Sequence, residues 1–142
     1  MIKFAGKFHV IVVHFPIALI LTVALTELLQ LATKRPFFAD SARYLIILAT
    51  ASVLVTVPLG WAAGADQNYA GDYVRVFWFH AAFGASTGIL VLSSAAACVA
   101  AAKTGKRVMY RVYYLTLALA TILVALAGHF GAMLVQGLDY FK

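Results

Sequence analysis

Four long apolar runs dominate the sequence, and each is long enough to cross a lipid bilayer. A transmembrane helix needs about 20 apolar residues at a rise of about 1.5 Å per residue. Such runs lie near residues 9–32, 43–62, 77–102 and 109–136. With 64% hydrophobic and 11% charged residues, the chain carries more apolar surface than a soluble domain of 142 residues can bury. The sequence therefore predicts an all-α integral membrane protein.

The segments between the predicted spans constrain how the helices are arranged. Pro36 and its charged neighbours end the first helix in a short turn, and the TGKR turn at residues 104–107 joins the last two helices. Residues 64–75, GADQNYAGDYVR, form the only long polar connection. Short connections force neighbouring helices to run antiparallel. We therefore predict one domain over residues 1–142, folded as an up-down four-helix bundle.

The positive charges are distributed unevenly between the two ends of this bundle. In membrane proteins with short loops, lysine and arginine concentrate on the cytoplasmic side. The end that carries more of them has Lys34, Arg35, Arg43, Lys103, Lys106, Arg107 and Arg111; the other end has Lys3, Lys7, Arg75 and Lys142. This distribution predicts that both termini lie on the outer side of the membrane. Because the charges flank the spans, the net charge of +6 indicates contact with lipid head groups and not with nucleic acid.

All four histidines fall in the outer half of the predicted bundle. His9 and His14 lie at the start of the first span. His80 lies about one turn into the third span, and His129 about two turns before the fourth one ends. A buried imidazole costs several kcal/mol unless its nitrogens find partners. We therefore predict that His14, His80 and His129 face inward and share a ligand. His9, nearer the interface, is expected to contact a head group or to support another ligand, and Pro16 is tolerated near the helix start.

Small residues accompany the inward-facing candidates. Gly84 and Gly88 follow His80 by one and two turns, and Gly128 and Gly131 flank His129. Glycines at such spacing also serve ordinary close packing of membrane helices. Beside histidines, however, they leave room for a flat macrocycle more readily than for a bare ion.

Haem b is the ligand that this combination favours, because neutral imidazole is its usual axial ligand and helical bundles build such sites from facing helices. We expect one haem, with two as the alternative, ligated by two of His14, His80 and His129. His129 is the first candidate and His14 its expected partner by depth. A copper or zinc ion held by these three imidazoles is a second interpretation. A purely structural or assembly subunit, in which the histidines only join helices, is a third.

The predicted function is that of an electron carrier or a small subunit of a larger respiratory or photosynthetic redox complex. A haem near the outer face would exchange electrons with a periplasmic c-type cytochrome or a quinone. No catalytic arrangement of nucleophile, base and acid and no phosphate-binding glycine loop is visible, so we do not predict an enzyme. Cys98 is the only cysteine, which excludes an internal disulfide and a C-x-x-C-H haem attachment. Glu27 is expected to reach water or to pair with Arg111.

The sequence also resembles a known family. HVIVVHFPIAL in the first span, His80 with Gly84 in the third, and GHFGAMLVQGLDYF at the end are similar to the bacterial membrane proteins grouped as domain of unknown function 2231. The resemblance covers nearly the whole chain and implies a four-helix unit with functional His9, His14, His80 and His129. It also implies a bacterial inner membrane, in which the predicted outer side of the bundle, with both termini, faces the periplasm. Relatives are sometimes fused to c-type cytochrome domains, which implies a redox context. Ala132 replaces a glycine that is common in the family, and the resemblance does not identify a ligand.

Overall fold

The computed structural model describes residues 8–65 and 67–140, and this part of the chain is almost entirely helical. Its helices are α1 (His9–Val12), α2 (His14–Thr33), α3 (Pro36–Gly64), α4 (Asp72–Thr104) and α5 (Arg107–Gln136). Because α1 and α2 are nearly continuous, the helices form four segments that are long and apolar enough to span a membrane. The predicted all-α membrane bundle is therefore confirmed. Lys3, Lys7 and Lys142, which enter the charge comparison above, lie outside the described residues.

A proline explains the interruption between α1 and α2. The carbonyl of Val12 would accept a hydrogen bond from the backbone N–H four residues later, but that residue is Pro16, which has no N–H. The helical pattern lapses at Val13 and resumes at His14. The first predicted span therefore has the expected bounds but contains a break after its first turn.

The turn between α2 and α3 is tighter than predicted. Lys34 has a left-handed backbone conformation (φ 55°), and its N–H donates to the Gln30 carbonyl at 2.8 Å. Arg35 is extended, as a residue before proline prefers to be, and Pro36 begins α3 at the position where its missing N–H costs nothing. The second span therefore begins at Pro36 and not near residue 43. Pro36 ends no helix; it starts one.

The long connection is also shorter than its polar composition indicated. Helix α3 continues to Gly64 and α4 already begins at Asp72, so the first residues of the third span precede the predicted position 77. Asp72 lies in the first turn of α4, where a negative charge interacts favourably with the helix dipole. The connection returns the chain to the bundle at Tyr69, whose ring stacks on that of Phe77 with centroids 5.0 Å apart.

The four spans are arranged in a ring. Each helix packs against the next along the chain, α2 contacts α5 to close the ring, and α1 packs on α3. The interface between α4 and α5 is the most extensive. Small and branched side chains fill the centre, among them Ile20, Val23, Ala42, Ile46, Ala49, Val91 and Ala120. Large apolar side chains lie on the outside, among them Leu25, Leu28, Ile47, Ile89, Leu115 and Ile122, as expected for contact with lipid.

Candidate functional site: a histidine pair in an interhelical cavity

His9 lies inside the bundle, although it was the histidine least expected there. Its Nδ1 lies 3.1 Å from the Thr56 carbonyl oxygen of α3. The ring also packs on the backbone of Gly60, where an added Cβ would approach the His9 Cε1 atom to 2.8 Å. A larger residue at position 60 would displace the ring. Helix α3 therefore fixes both the orientation and the position of His9.

His80 is fixed in the same manner by α5. Its Nδ1 lies 2.8 Å from the Ala127 carbonyl oxygen. An added Cβ at Gly131 would lie 3.0 Å from the His80 Cε1 atom, so this glycine makes room for the ring. Gly131 was predicted to leave room for a ligand beside His129. Instead, it makes room for the ring of a different histidine, His80.

The two hydrogen bonds determine which nitrogen of each ring remains available. A carbonyl oxygen only accepts, so Nδ1 carries the proton in both neutral imidazoles and Nε2 is left as an acceptor. Histidines that bind metals usually donate their other N–H to a carbonyl or carboxylate, which sets the tautomer and raises the basicity of the ligating nitrogen. Both His9 and His80 have this arrangement.

The rings of His9 and His80 are close together. Their centroids lie 6.2 Å apart and their planes are inclined by 75°. A metal–imidazole bond is about 2.0 Å and the ring centroid lies about 1 Å behind the nitrogen, so two imidazoles on opposite sides of one metal have centroids about 6 Å apart. The observed separation of the ring centroids is compatible with two imidazoles that hold one metal. Among the residues described, no group of three His, Cys, Asp or Glu side chains is suited to hold a metal, so the site offers two imidazole ligands and not three.

The pair borders a partly enclosed cavity of about 90 Å³ between the helices. Apart from the two imidazoles and two threonines, its walls are almost entirely apolar. Gly84 and Gly128 both line it, and a Cβ added at either position would have nothing within 4 Å. Close helix packing does not account for these two glycines. Gly88 differs, because a Cβ there would contact Val57 at 3.3 Å, which is the packing role.

Aromatic rings border the cavity towards the α3–α4 connection. Trp61 and Phe77 both line the cavity, and the Phe77 ring lies directly over Gly64. Phe77 is held from the other side by Tyr69 and contacts Trp78 edge to face. Partial burial raises the pKa of the Tyr69 hydroxyl, so this residue stays neutral at physiological pH. The end of the cavity nearest the connection is therefore covered by neutral aromatic groups.

His14 and His129 do not join the pair, and the prediction that they face inward with His80 is wrong. His14 is exposed, and its Nδ1 lies 3.1 Å from the Val10 carbonyl of its own helical segment. His129 is exposed on the outer side of α5, in a shallow groove with Leu21 and Leu126. The position of a histidine along its helix predicts its depth in the membrane. The direction of its side chain around the helix, however, decides which rings meet. Gly128 lines the cavity, whereas His129 points away from it.

A second buried polar contact lies near the opposite end of the bundle. Glu27 is 7% exposed, and the Tyr113 hydroxyl donates a hydrogen bond of 2.6 Å to its carboxylate. Tyr114 lies near the same carboxyl group. Because Glu27 is buried, it does not extend to water as expected, and among the described residues it makes no ion pair with the exposed Arg111. The signal was present: Glu27 continues the buried positions Ile20 and Val23, so its inward direction was predictable from helical spacing.

The comparison with known families agrees with this architecture. The family model described as predicted membrane protein (DUF2231) matches residues 6–139. The chain belongs to this family. The match covers both histidines of the pair and all four spans. No curated protein and no solved structure shows significant similarity to the chain. Membership in DUF2231 thus supports a membrane protein and leaves its ligand open.

Proposed function

We propose that the protein binds a non-covalent, b-type haem through His9 and His80 and serves as an electron-transfer protein of the membrane. One observation carries this proposal. Two imidazoles from different helices lie with their ring centroids 6.2 Å apart, and each Nδ1 is occupied by a backbone carbonyl, so that the two Nε2 atoms would be the ones to hold the iron. Bound there, haem supplies a one-electron redox centre.

The lining of the cavity supports a flat apolar guest. Gly84 and Gly128 leave open space beside the pair, and the remaining wall offers hydrocarbon contacts to a macrocycle. A haem is larger than the 90 Å³ observed, so its insertion requires the lining to move apart. The aromatic rings of Trp61 and Phe77 border the cavity where it approaches the polar connection. Their displacement would also give haem propionates access to water.

The position of the pair limits how electrons could travel. Both rings lie near the end of the bundle that carries the α3–α4 connection, and within the described part of the chain the opposite half has no histidine. A single haem here exchanges electrons at one membrane face. A periplasmic c-type cytochrome, a quinone or a larger membrane redox complex is the expected partner, and a carrier role requires no catalytic residues.

Absorption spectra of histidine variants test the proposal. The purified full-length protein should show a Soret band and a sharp α band on reduction. His80→Gly and His9→Gly should each lose at least about tenfold in haem affinity, because each removes one of the two imidazoles that would hold the iron. Added imidazole should restore the bands in His80→Gly, which separates lost ligation from misfolding.

His14→Ala and His129→Ala are the matched controls, because both remove a histidine at similar depth outside the cavity. Each should keep the spectrum of the unmodified protein. A spectrum lost in these controls but retained in the His9 and His80 variants would overturn the ligand assignment. An unpigmented protein from cells with ample haem would refute the proposal that haem is the cofactor.

The size of the cavity favours one further candidate, a copper ion. A volume of about 90 Å³ accepts an ion without rearrangement, and imidazole is a good copper ligand. Zinc usually takes four ligands in structural sites, and only two imidazoles meet here. A colourless protein with one copper per chain, lost in His9→Ala and His80→Ala, would replace haem by copper. Absence of both haem and metal would leave the pair a structural connection between helices.

A further inference from the structure

Thr87 differs from most other threonines of this protein. In helices, a threonine hydroxyl commonly donates to the carbonyl four residues earlier. Seven threonines do so, with distances of 2.6–2.8 Å: Thr22, Thr26, Thr33, Thr50, Thr104, Thr116 and Thr121. Thr87 is only 3% exposed, and its buried Oγ1 has no hydrogen-bond partner among the described residues. A buried hydroxyl without a partner is unfavourable, so its presence calls for an explanation.

Thr87 is one of the residues that line the cavity of the histidine pair, and its Oγ1 is itself buried. Thr87 follows His80 by seven residues on α4, which places it on the same face about 10 Å deeper in the membrane. Thr56 of α3 lines the cavity as well and is 4% exposed. Gly88 and Val57 bring the two helices together at this level. Two nearly buried threonines from facing helices therefore line a cavity whose walls, apart from them and the two imidazoles, are almost entirely apolar.

We propose that Thr87, with Thr56 beside it, binds an oxygen atom of the cavity's occupant. This inference rests in part on the proposed function, because the cavity is the one assigned to haem. The oxygen has two sources. It belongs either to a water enclosed with the b-type haem or, if the bound macrocycle is a haem other than protohaem, to a hydroxyl or carbonyl substituent of that macrocycle. The cavity of about 90 Å³ has room for a water molecule, because one water needs about 10–15 Å³.

The sign of a stability change tests the inference whatever the occupant is. In Thr87→Val a methyl group replaces the hydroxyl at nearly constant volume. If the hydroxyl binds an oxygen, the variant loses that bond and its thermal midpoint in lipid nanodiscs falls by at least about 2 °C. If the hydroxyl has no partner, its removal raises the midpoint. Thr50→Val is the control, because the Thr50 hydroxyl bonds the Ile46 carbonyl of its own helix and does not line the cavity. A rise, or a change no larger than in the control, would overturn the inference.

Chemical identification of the extracted pigment separates the two sources. A macrocycle with a formyl or hydroxyalkyl group indicates direct binding, and its affinity should fall several-fold in Thr87→Val. Protohaem with a destabilised Thr87→Val indicates an enclosed water. A destabilised Thr87→Val in a protein without pigment would refute the haem while retaining the oxygen site. A pigmented protein that Thr87→Val stabilises would refute the oxygen site while retaining the haem.

Discussion

Single glycines decide how the histidine pair is held. Alanine at position 60 would bring a Cβ to 2.8 Å from the His9 ring, whereas alanine at position 84 would meet nothing within 4 Å. We expect Gly60→Ala to lower the free energy of unfolding by about 1–3 kcal/mol through this overlap. Gly84→Ala should raise it by about 0.5–1 kcal/mol in the protein without a ligand, because alanine favours the helix. Denaturant titration in mixed micelles measures both changes.

The affinity for the ligand provides a second, independent test of Gly60→Ala and Gly84→Ala. Gly60→Ala pushes the His9 ring away from the Thr56 carbonyl, so the affinity for haem or copper should fall with the stability. Gly84→Ala adds one methyl group at the edge of the cavity and should affect binding less. Equal effects of the two substitutions on both quantities would contradict the contacts described here.

The histidines show what residue-level reasoning could and could not predict. Position along a helix gives depth, and the prediction that the histidines lie towards one end agrees with the observed positions. The direction in which a side chain points around a helix can be predicted only when the buried face of that helix is known. The sequence does not identify the buried face of the first span. His9 and His14 are about 140° apart on a helix, so at most one of them could easily face His80. On α5, the inward positions Ala127 and Gly131 place His129 on the outside.

At the scale of helices, one hydrogen bond joins α2 to α5 at the end away from the cavity. The Tyr113 hydroxyl donates to Glu27, and both residues are at least nine-tenths buried. Tyr113→Phe leaves a buried carboxyl group without this donor, so we expect the free energy of unfolding to fall by about 1.5–3 kcal/mol. Tyr110→Phe, an exposed tyrosine one turn earlier on the same helix, should change it by less than about 0.5 kcal/mol. Denaturant titration compares the two, and equal effects would mean that the contact contributes nothing to stability.

The presence of each helix could be predicted from the sequence alone. The residues at which the helices begin and end depend on local stereochemistry. Apolar length alone predicted four spans, and all four are present. Pro36 was interpreted as a terminator because proline breaks helices, but at the first position of α3 it fits a helix start. The inward positions of α5 were available from the spacing of Tyr113 and Leu117 with the small residues that follow. The cavity could not be predicted, because it depends on how four helix faces meet.

At the scale of the whole molecule, the histidine pair and the Glu27–Tyr113 contact lie towards opposite ends of one bundle. The end with Glu27 also carries the α2–α3 and α4–α5 turns and most of the lysine and arginine residues. Positive charges in short loops stay on the cytoplasmic side. We therefore expect the two ends to lie in different environments, and the charge distribution predicts that the histidine pair lies near the periplasm.

Cysteine accessibility tests this orientation. In a Cys98→Ala background, Gln67→Cys marks the connection near the histidine pair, and Thr104→Cys marks the end of α4 at the α4–α5 turn; both native residues are exposed. A membrane-impermeant maleimide added to intact spheroplasts should label Gln67→Cys and leave Thr104→Cys unlabelled until the membrane is permeabilised, because the seven basic residues of the second end predict that it faces the cytoplasm. The opposite pattern would place the pair at the cytoplasmic face, and an electron donor for the proposed haem would then have to be a cytoplasmic protein or a quinone.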